Sequence, residues 1–254
     1  MKQISKSVLF KYILWFSIFC CWELIVILEI VPRYLLPSPT DIIRALNENY
    51  DYFIDGFIQT IKNSSIGLLL SVLIGITIGS FLSISPFLNR LFFPIAHFFQ
   101  TLPIIAIAPL LVIYLGFGDA TVRVSALIVS LFPIIANTVV GLNSVPLEYL
   151  ELYRYAQANS FTVLTQLRIG FGLPVIFSGL KISSGLAVIG AIAGEFVAGG
   201  GLGQIIDVAR TQQRVDQVYL AIFLLSLIGI LYLTFIQLAE YLLKKWRPYF
   251  PNQD

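Results

Sequence analysis

Side chains that could do hydrolytic or metal chemistry are scarce in these 254 residues, and where they occur their spacing is wrong for it. No GxxxxGK[ST] loop is present to cradle phosphates, so ATP hydrolysis by that route is excluded for this chain. HExxH, CxxC and GxSxG are also absent, which removes zinc-protease, dithiol and nucleophile-elbow chemistry. Cys20 and Cys21 are adjacent in an apolar stretch. On a helix they point about 100° apart, so neither a disulfide nor a metal site follows from them. The single histidine, His97, lies inside a long uncharged run. It reads as a helix-bundle histidine bonded to a neighbour, with gating or substrate contact as the sharper alternative, because ionisable groups at membrane depth are costly. Glu195 stands near the end of another apolar run, just before Gly199-Gly200-Gly201-Leu202-Gly203. A carboxylate there either snorkels to water or holds a gate closed, with Arg210 and Arg214 as candidate partners.

The elements that must position these groups are membrane helices. Hydrophobic residues make up 57% of the chain and charged residues 12%, against roughly 45–50% and about 25% in soluble domains. So little charge cannot cover a globular surface, and the solvent must be partly lipid. The net charge of +2 is too small to indicate nucleic acid as a partner. Residues 63–89, 91–118, 124–147 and 217–239 are free of charge, and each run reaches the ~20 residues that cross a bilayer as a helix. Two less pure runs complete the set. The reading is an all-α polytopic bundle of about six helices, with spans near 8–30, 63–84, 91–115, 124–142, 173–197 and 217–240. The first run is longer than a signal core and lacks a small-x-small cleavage site, so it is read as a retained helix. With the N-terminus inside, ten Lys and Arg lie inside and six outside, which places both termini in the cytoplasm. No repeat or long linker divides the chain, so 1–254 is read as one membrane domain.

The loops follow from this topology. Residues 31–59 lie outside and hold a short amphipathic helix near 40–46, with Thr40 or Asp41 as its N-cap. Residues 199–217 form a second outside loop. Residues 143–172 form the long inside loop. Within it, Tyr149, Leu152, Tyr153 and Ala156 share one helix face, and Pro146 sits where a helix start tolerates proline. A second short helix is expected near 162–169, broken by Gly170, Gly172 and Pro174. Pro103, Pro109 and Pro133 bend the spans that carry them, and Pro103 is a candidate for the pathway or its gate. Gly75 with Gly79 and Gly190 with Gly194 form small-xxx-small pairs that let helices approach closely in lipid.

From Leu36 to about Trp246 the chain resembles the nitrate/sulfonate/taurine-type permeases of ABC importers. The matching stretches are Leu36-Pro37-Ser38-Pro39, the run from Pro103 through Pro109 to Gly118, Phe132-Pro133-Ile134-Ile135-Ala136-Asn137-Thr138, Gly141-Leu142-Asn143-Ser144-Val145, Leu173-Pro174 through Lys181, and Gly194-Glu195-Phe196-Val197-Ala198. The family's cytoplasmic signature is Glu-Ala-Ala, a Gly six residues after the Glu, and a later Ile-x-Leu-Pro. Here Glu151 takes the Glu position, Leu152 and Tyr153 replace the alanines, Gln157 replaces the glycine, and Ile169-Gly170 stands where Leu-Pro would be. The resemblance implies the type I ABC importer permease fold, with Glu151, Leu152, Tyr153, Arg154 and Gln157 in an ATPase-coupling loop. It also implies a bacterial cytoplasmic (inner) membrane setting, a second copy of the chain, and a periplasmic or lipid-anchored solute-binding protein. Separate ABC ATPase subunits would bind the ATP and Mg, leaving no cofactor in this chain. The solute would be a small anion such as nitrate, a sulfonate or taurine, or a pyrimidine vitamin precursor. A stand-alone carrier or channel would instead call for an inverted repeat and charges at the midplane, and no repeat is visible.

Overall fold

The computed structural model describes residues 2–85, 87, 89–92, 94, 101 and 103–246. Its helices are α1 (Lys2–Ile27), α2 (Pro39–Glu48), α3 (Tyr50–Ile84), α4 (Ile104–Leu115), α5 (Asp119–Leu142), α6 (Leu147–Tyr155), α7 (Ser160–Ala198), α8 (Gly201–Thr211) and α9 (Val215–Trp246). No strand occurs among the described residues. By length and composition α3, α5, α7 and α9 can cross a membrane, and Phe16–Ile27 and Ile104–Leu115 are shorter apolar helices. The class is the all-α polytopic bundle that the charge pattern implies. His97 lies outside the described residues.

The centre of the bundle is a three-helix stack in which α5 packs along both α3 and α7. Small residues set that packing. A Cβ on Gly172 would lie 3.0 Å from the Gly141 carbonyl oxygen, and one on Gly190 would lie 2.7 Å from that of Ser125. On the other flank a Cβ on Gly67 would lie 2.7 Å from the Arg123 carbonyl oxygen. Backbones this close gain dispersion contacts that larger residues would prevent, which is how helices associate in lipid without a hydrophobic force. Ser71 and Ser130 add a buried hydrogen bond of 2.9 Å between α3 and α5. α9 closes the stack: Glu240 bridges Lys181 of α7 at 2.6 Å and Lys244 at 2.9 Å, and the Tyr232 hydroxyl meets Ser64 and Ser65 of α3 at 2.7 Å each.

Three local expectations are corrected. The N-cap of α2 is Ser38, neither Thr40 nor Asp41. Its hydroxyl accepts from Asp41 N at 3.2 Å, and the Asp41 carboxylate accepts from Ser38 N at 3.2 Å. That capping box satisfies two of the free N–H groups at a helix start. Thr40 donates to Glu23 Oε1 at 2.7 Å and Trp22 Nε1 donates to the Pro37 carbonyl at 3.0 Å, so the 36–39 stretch is pinned to the end of α1. Second, no separate helix forms over 162–169. Residues 163–168 are a π-helical stretch and α7 runs on through Pro174. Gly172 serves close approach to Gly141 and does not end a helix. Third, the 199–217 segment is mostly the helix α8, with Leu202, Ile205 and Ala209 buried at helical spacing.

Candidate functional site

α7 joins two distinct ends of the molecule, with 39 residues spanning roughly 58 Å at ~1.5 Å per residue. At its C-terminal end Glu195 is only 1% exposed. Thr60 of α3 donates its hydroxyl to Glu195 Oε1 at 2.7 Å and accepts the Leu202 N–H at 2.9 Å. Gly203 N donates to Glu195 Oε2 at 2.8 Å. The carboxyl group therefore sits at the N-terminus of α8, where free N–H groups and the helix dipole favour negative charge. The glycine run is what admits it. A Cβ on Gly201, which has φ +61°, would overlap the Glu195 carboxylate, and one on Gly203 would lie 2.6 Å from Glu195 Cβ.

A second polar layer surrounds this contact. Gln59 accepts from Gly201 N at 3.1 Å and donates to Asp119 at 3.2 Å. Asn63 donates to Asp119 at 2.9 Å and accepts from Arg123 Nε at 2.9 Å, while Arg123 bridges Asp119 at 2.7 Å. Gly118 N, at the start of α5, donates to the Ala198 carbonyl at 3.0 Å. One face of α3, carrying Gln59, Thr60 and Asn63, thus ties together α5, α7 and the start of α8. The expected Arg210 and Arg214 partners are not used. Arg210 pairs with Asp207 at 2.7 Å and Arg214 with Asp216 at 2.9 Å. The latter bond raises the Arg214 pKa above its ordinary value. Both arginines lie beyond the glycine turn, whereas the backbone N–H groups lie directly against Glu195, and that proximity decides the partner.

At the other end α6 buries none of its residues. Leu147, Leu152 and Tyr155 are exposed, Tyr155 at 87%. Glu151, Arg154 and Gln157 are exposed and Tyr153 is half-buried. α6 packs on the π-helical stretch of α7, and Tyr149 meets Phe171 with ring centroids 5.2 Å apart. A cavity of about 250 Å³ lies beside it, lined by Ile84, Leu150, Arg154 and Arg168 among others. Gln157 has φ +53° and closes the helix. Its N–H bonds the Arg154 carbonyl at 3.0 Å and the Ala158 N–H bonds that of Tyr153 at 3.0 Å, the Schellman pattern. That conformation is where glycine is favoured. Pro103 is exposed at the start of α4. Among the described residues no group of three His, Cys, Asp or Glu could hold a metal.

Sequence reasoning singled out Glu195 but missed Gln59, Thr60, Asn63, Asp119 and Arg123. The available signals were the i,i+4 spacing of Asp119 with Arg123 and three polar residues on one face of α3.

The longest helix of this bundle of membrane-length helices thus joins a buried polar knot to an exposed helix. Comparison makes this specific. The family described as binding-protein-dependent transport system inner membrane component matches residues 71–247. The formylaminopyrimidine transport permease protein ThiX of Halalkalibacterium halodurans is 35% identical over 231 residues, covering 88% of this chain and 92% of the relative. The nitrate import permease protein NrtB of Synechococcus elongatus is 27% identical over 227 residues, covering 82% and 80%. In fold, an inward-facing structure of the MetNI methionine ABC transporter matches with a TM-score of 0.60 and 18% identity, over 73% of this chain and 94% of that one. The chain belongs to the binding-protein-dependent transport system inner membrane component family. It is a multi-pass permease subunit of an ABC importer, a transport component of the inner membrane and not an enzyme.

Proposed function

We propose that two copies of this chain form the translocation pathway of an importer driven by two separate ATPase subunits, which bind the ATP and Mg. Both termini lie in the cytoplasm. On this reading α6, with Glu151, Leu152, Tyr153, Arg154 and Gln157, is the helix that docks on the ATPase. The Glu195 knot lies at the outer face and holds the outer gate, and a periplasmic or lipid-anchored solute-binding protein delivers solute there. The observation that supports it most is the continuity of α7, one helix from Ser160 to Ala198 with an exposed docking helix at one end and a buried latch at the other. Closure of the ATPases shifts the population between two packed states, because close-packed helices switch between arrangements more readily than they deform.

Of the solutes in question we favour a pyrimidine vitamin precursor over a small inorganic anion. The formylaminopyrimidine permease of H. halodurans is 35% identical over most of both chains. The exposed stripe of α7 carries Ser178, Ile182, Gly185 and Ile189, without a charge to attract an anion. Pro103, exposed at the start of α4, is proposed for the pathway or its gate, and His97 is proposed for gating or substrate contact. The test is to extract the tagged chain from its own membrane. An ATPase recovered in equal amount, with Glu195→Gln altering basal hydrolysis or its stimulation by the binding protein, is the expected outcome. A parent-like Glu195→Gln in both assays leaves that buried carboxyl group only a structural role in the knot.

A further inference from the structure

Between the docking helix and the bundle stands one side chain that neither the sequence reading nor the family resemblance singles out. Arg168 is the last residue of the π-helical stretch. Its Nη1 donates to the Ser83 carbonyl at 3.0 Å and to Asn143 Oδ1 at 3.1 Å. Ser83 lies in the last turn of α3 and Asn143 is the C-cap of α5. One guanidinium therefore sits at the C-terminal ends of two core helices, where carbonyls lack intrahelical partners and the dipole favours a cation.

The surroundings limit how a push on α6 can reach the bundle. α6 packs on the π-helical stretch, while the cavity beside Leu150 and Arg154 leaves space between α6 and Ile84. The π turn is closed by Ile169 N donating to the Leu164 carbonyl. Such wide turns are rare, and they recur at functional positions. Arg168 closes that stretch, and four residues on Gly172 meets the Gly141 backbone. Besides the direct 143–146 connection of α6 to α5 and the Tyr149–Phe171 contact, a route from the docking helix to the ends of both α3 and α5 runs through the π-helical stretch and Arg168.

We infer that Arg168 is a positioning residue of the transport cycle, the side chain that passes motion of the docking helix to the ends of α3 and α5. This rests on α6 being the ATPase-docking element. Lysine in its place keeps the charge and three N–H donors near both helix ends but loses the planar guanidinium that fixes their direction.

The test uses the whole importer in lipid nanodiscs, with its ATPase and its own solute-binding protein as purified, and reads the stimulation of ATP hydrolysis by that protein. Arg168→Ala is expected to assemble and to lose stimulation by at least about fivefold, the low end of typical coupling between sites. Arg168→Lys is expected to retain part of it, which general damage to the fold would not allow. Parental stimulation in Arg168→Ala overturns the inference. Should that variant fail to assemble, Asn143→Ala decides, because it removes only the α5 arm. Reduced stimulation supports the role of Arg168, and unchanged stimulation overturns it. Glu151→Lys runs in parallel. If it loses stimulation while Arg168→Ala keeps it, docking stands and Arg168 falls. If both keep it, the docking reading has failed.

Discussion

The Thr60 hydroxyl is both donor to Glu195 and acceptor from Leu202, at 2.7 and 2.9 Å. Both contacts are buried, so valine in its place strands a carboxyl oxygen and a backbone N–H together. Thr60→Val is expected to cost about 2 kcal/mol or more, and Thr60→Ser much less. Thermal unfolding in detergent measures both. Equal stabilities for the two variants would mean that the hydroxyl does not hold the knot.

The glycine turn gives a paired comparison. Gly116 has φ +80° with nothing within 4 Å of a built Cβ, whereas Gly201 has φ +61° and would meet the Glu195 carboxylate. Gly116→Ala is expected to cost only backbone strain, about 1–3 kcal/mol, because φ +80° with ψ 178° is a conformation glycine alone adopts readily. Gly201→Ala adds displacement of the carboxylate, so its loss of melting temperature should be clearly larger. Similar losses would place no load on the cradle.

The fold class was legible because charge-free runs of span length have few soluble explanations. Glu195 was legible for the same reason, as a charge in an apolar run. Its true partner Thr60 was not, since it is uncharged, lies 135 positions away and reads as the edge of a loop. α3 begins at Tyr50, so that edge is part of the helix. The start of α8 carries glycines that read as a turn, although Leu202, Ile205 and Ala209 held the helical period. The capping box is written in the sequence as Ser38-x-x-Asp41, and a cap at Thr40 or Asp41 overlooks that reciprocal spacing. Pro174 reads as a stop in the sequence, yet α7 runs on through it, with Gly172 packed against Gly141 just before it.

Gln157 occupies a left-handed C-terminal cap at φ +53°. Gln157→Gly removes the Cβ penalty and is expected to stabilise by about 1 kcal/mol. The melting temperature should rise slightly with assembly unchanged. A fall would show that the glutamine side chain itself makes a contact that matters.

Lys181 and Glu240 hold α7 to α9 at 2.6 Å, with the Glu240 side chain only 13% exposed. Lys181→Met alone leaves Glu240 with only Lys244 beside it, and is expected to destabilise by about 1–3 kcal/mol. Joining it to Glu240→Leu should recover most of that loss, because two apolar groups need no partner. A double variant as unstable as the sum of the two singles would show that the pair does not act as a unit.

On the proposed function α6 faces the ATPase while the far end of α7 faces the binding protein. A photo-crosslinking residue at Tyr155, 87% exposed on α6, and another at Tyr34, 68% exposed beyond α1, test it directly in the assembled importer. The Tyr155 probe is expected to capture the ATPase and the Tyr34 probe only the solute-binding protein. Capture of the ATPase from Tyr34, or of no ATPase from Tyr155 in a complex that still hydrolyses ATP, would contradict it.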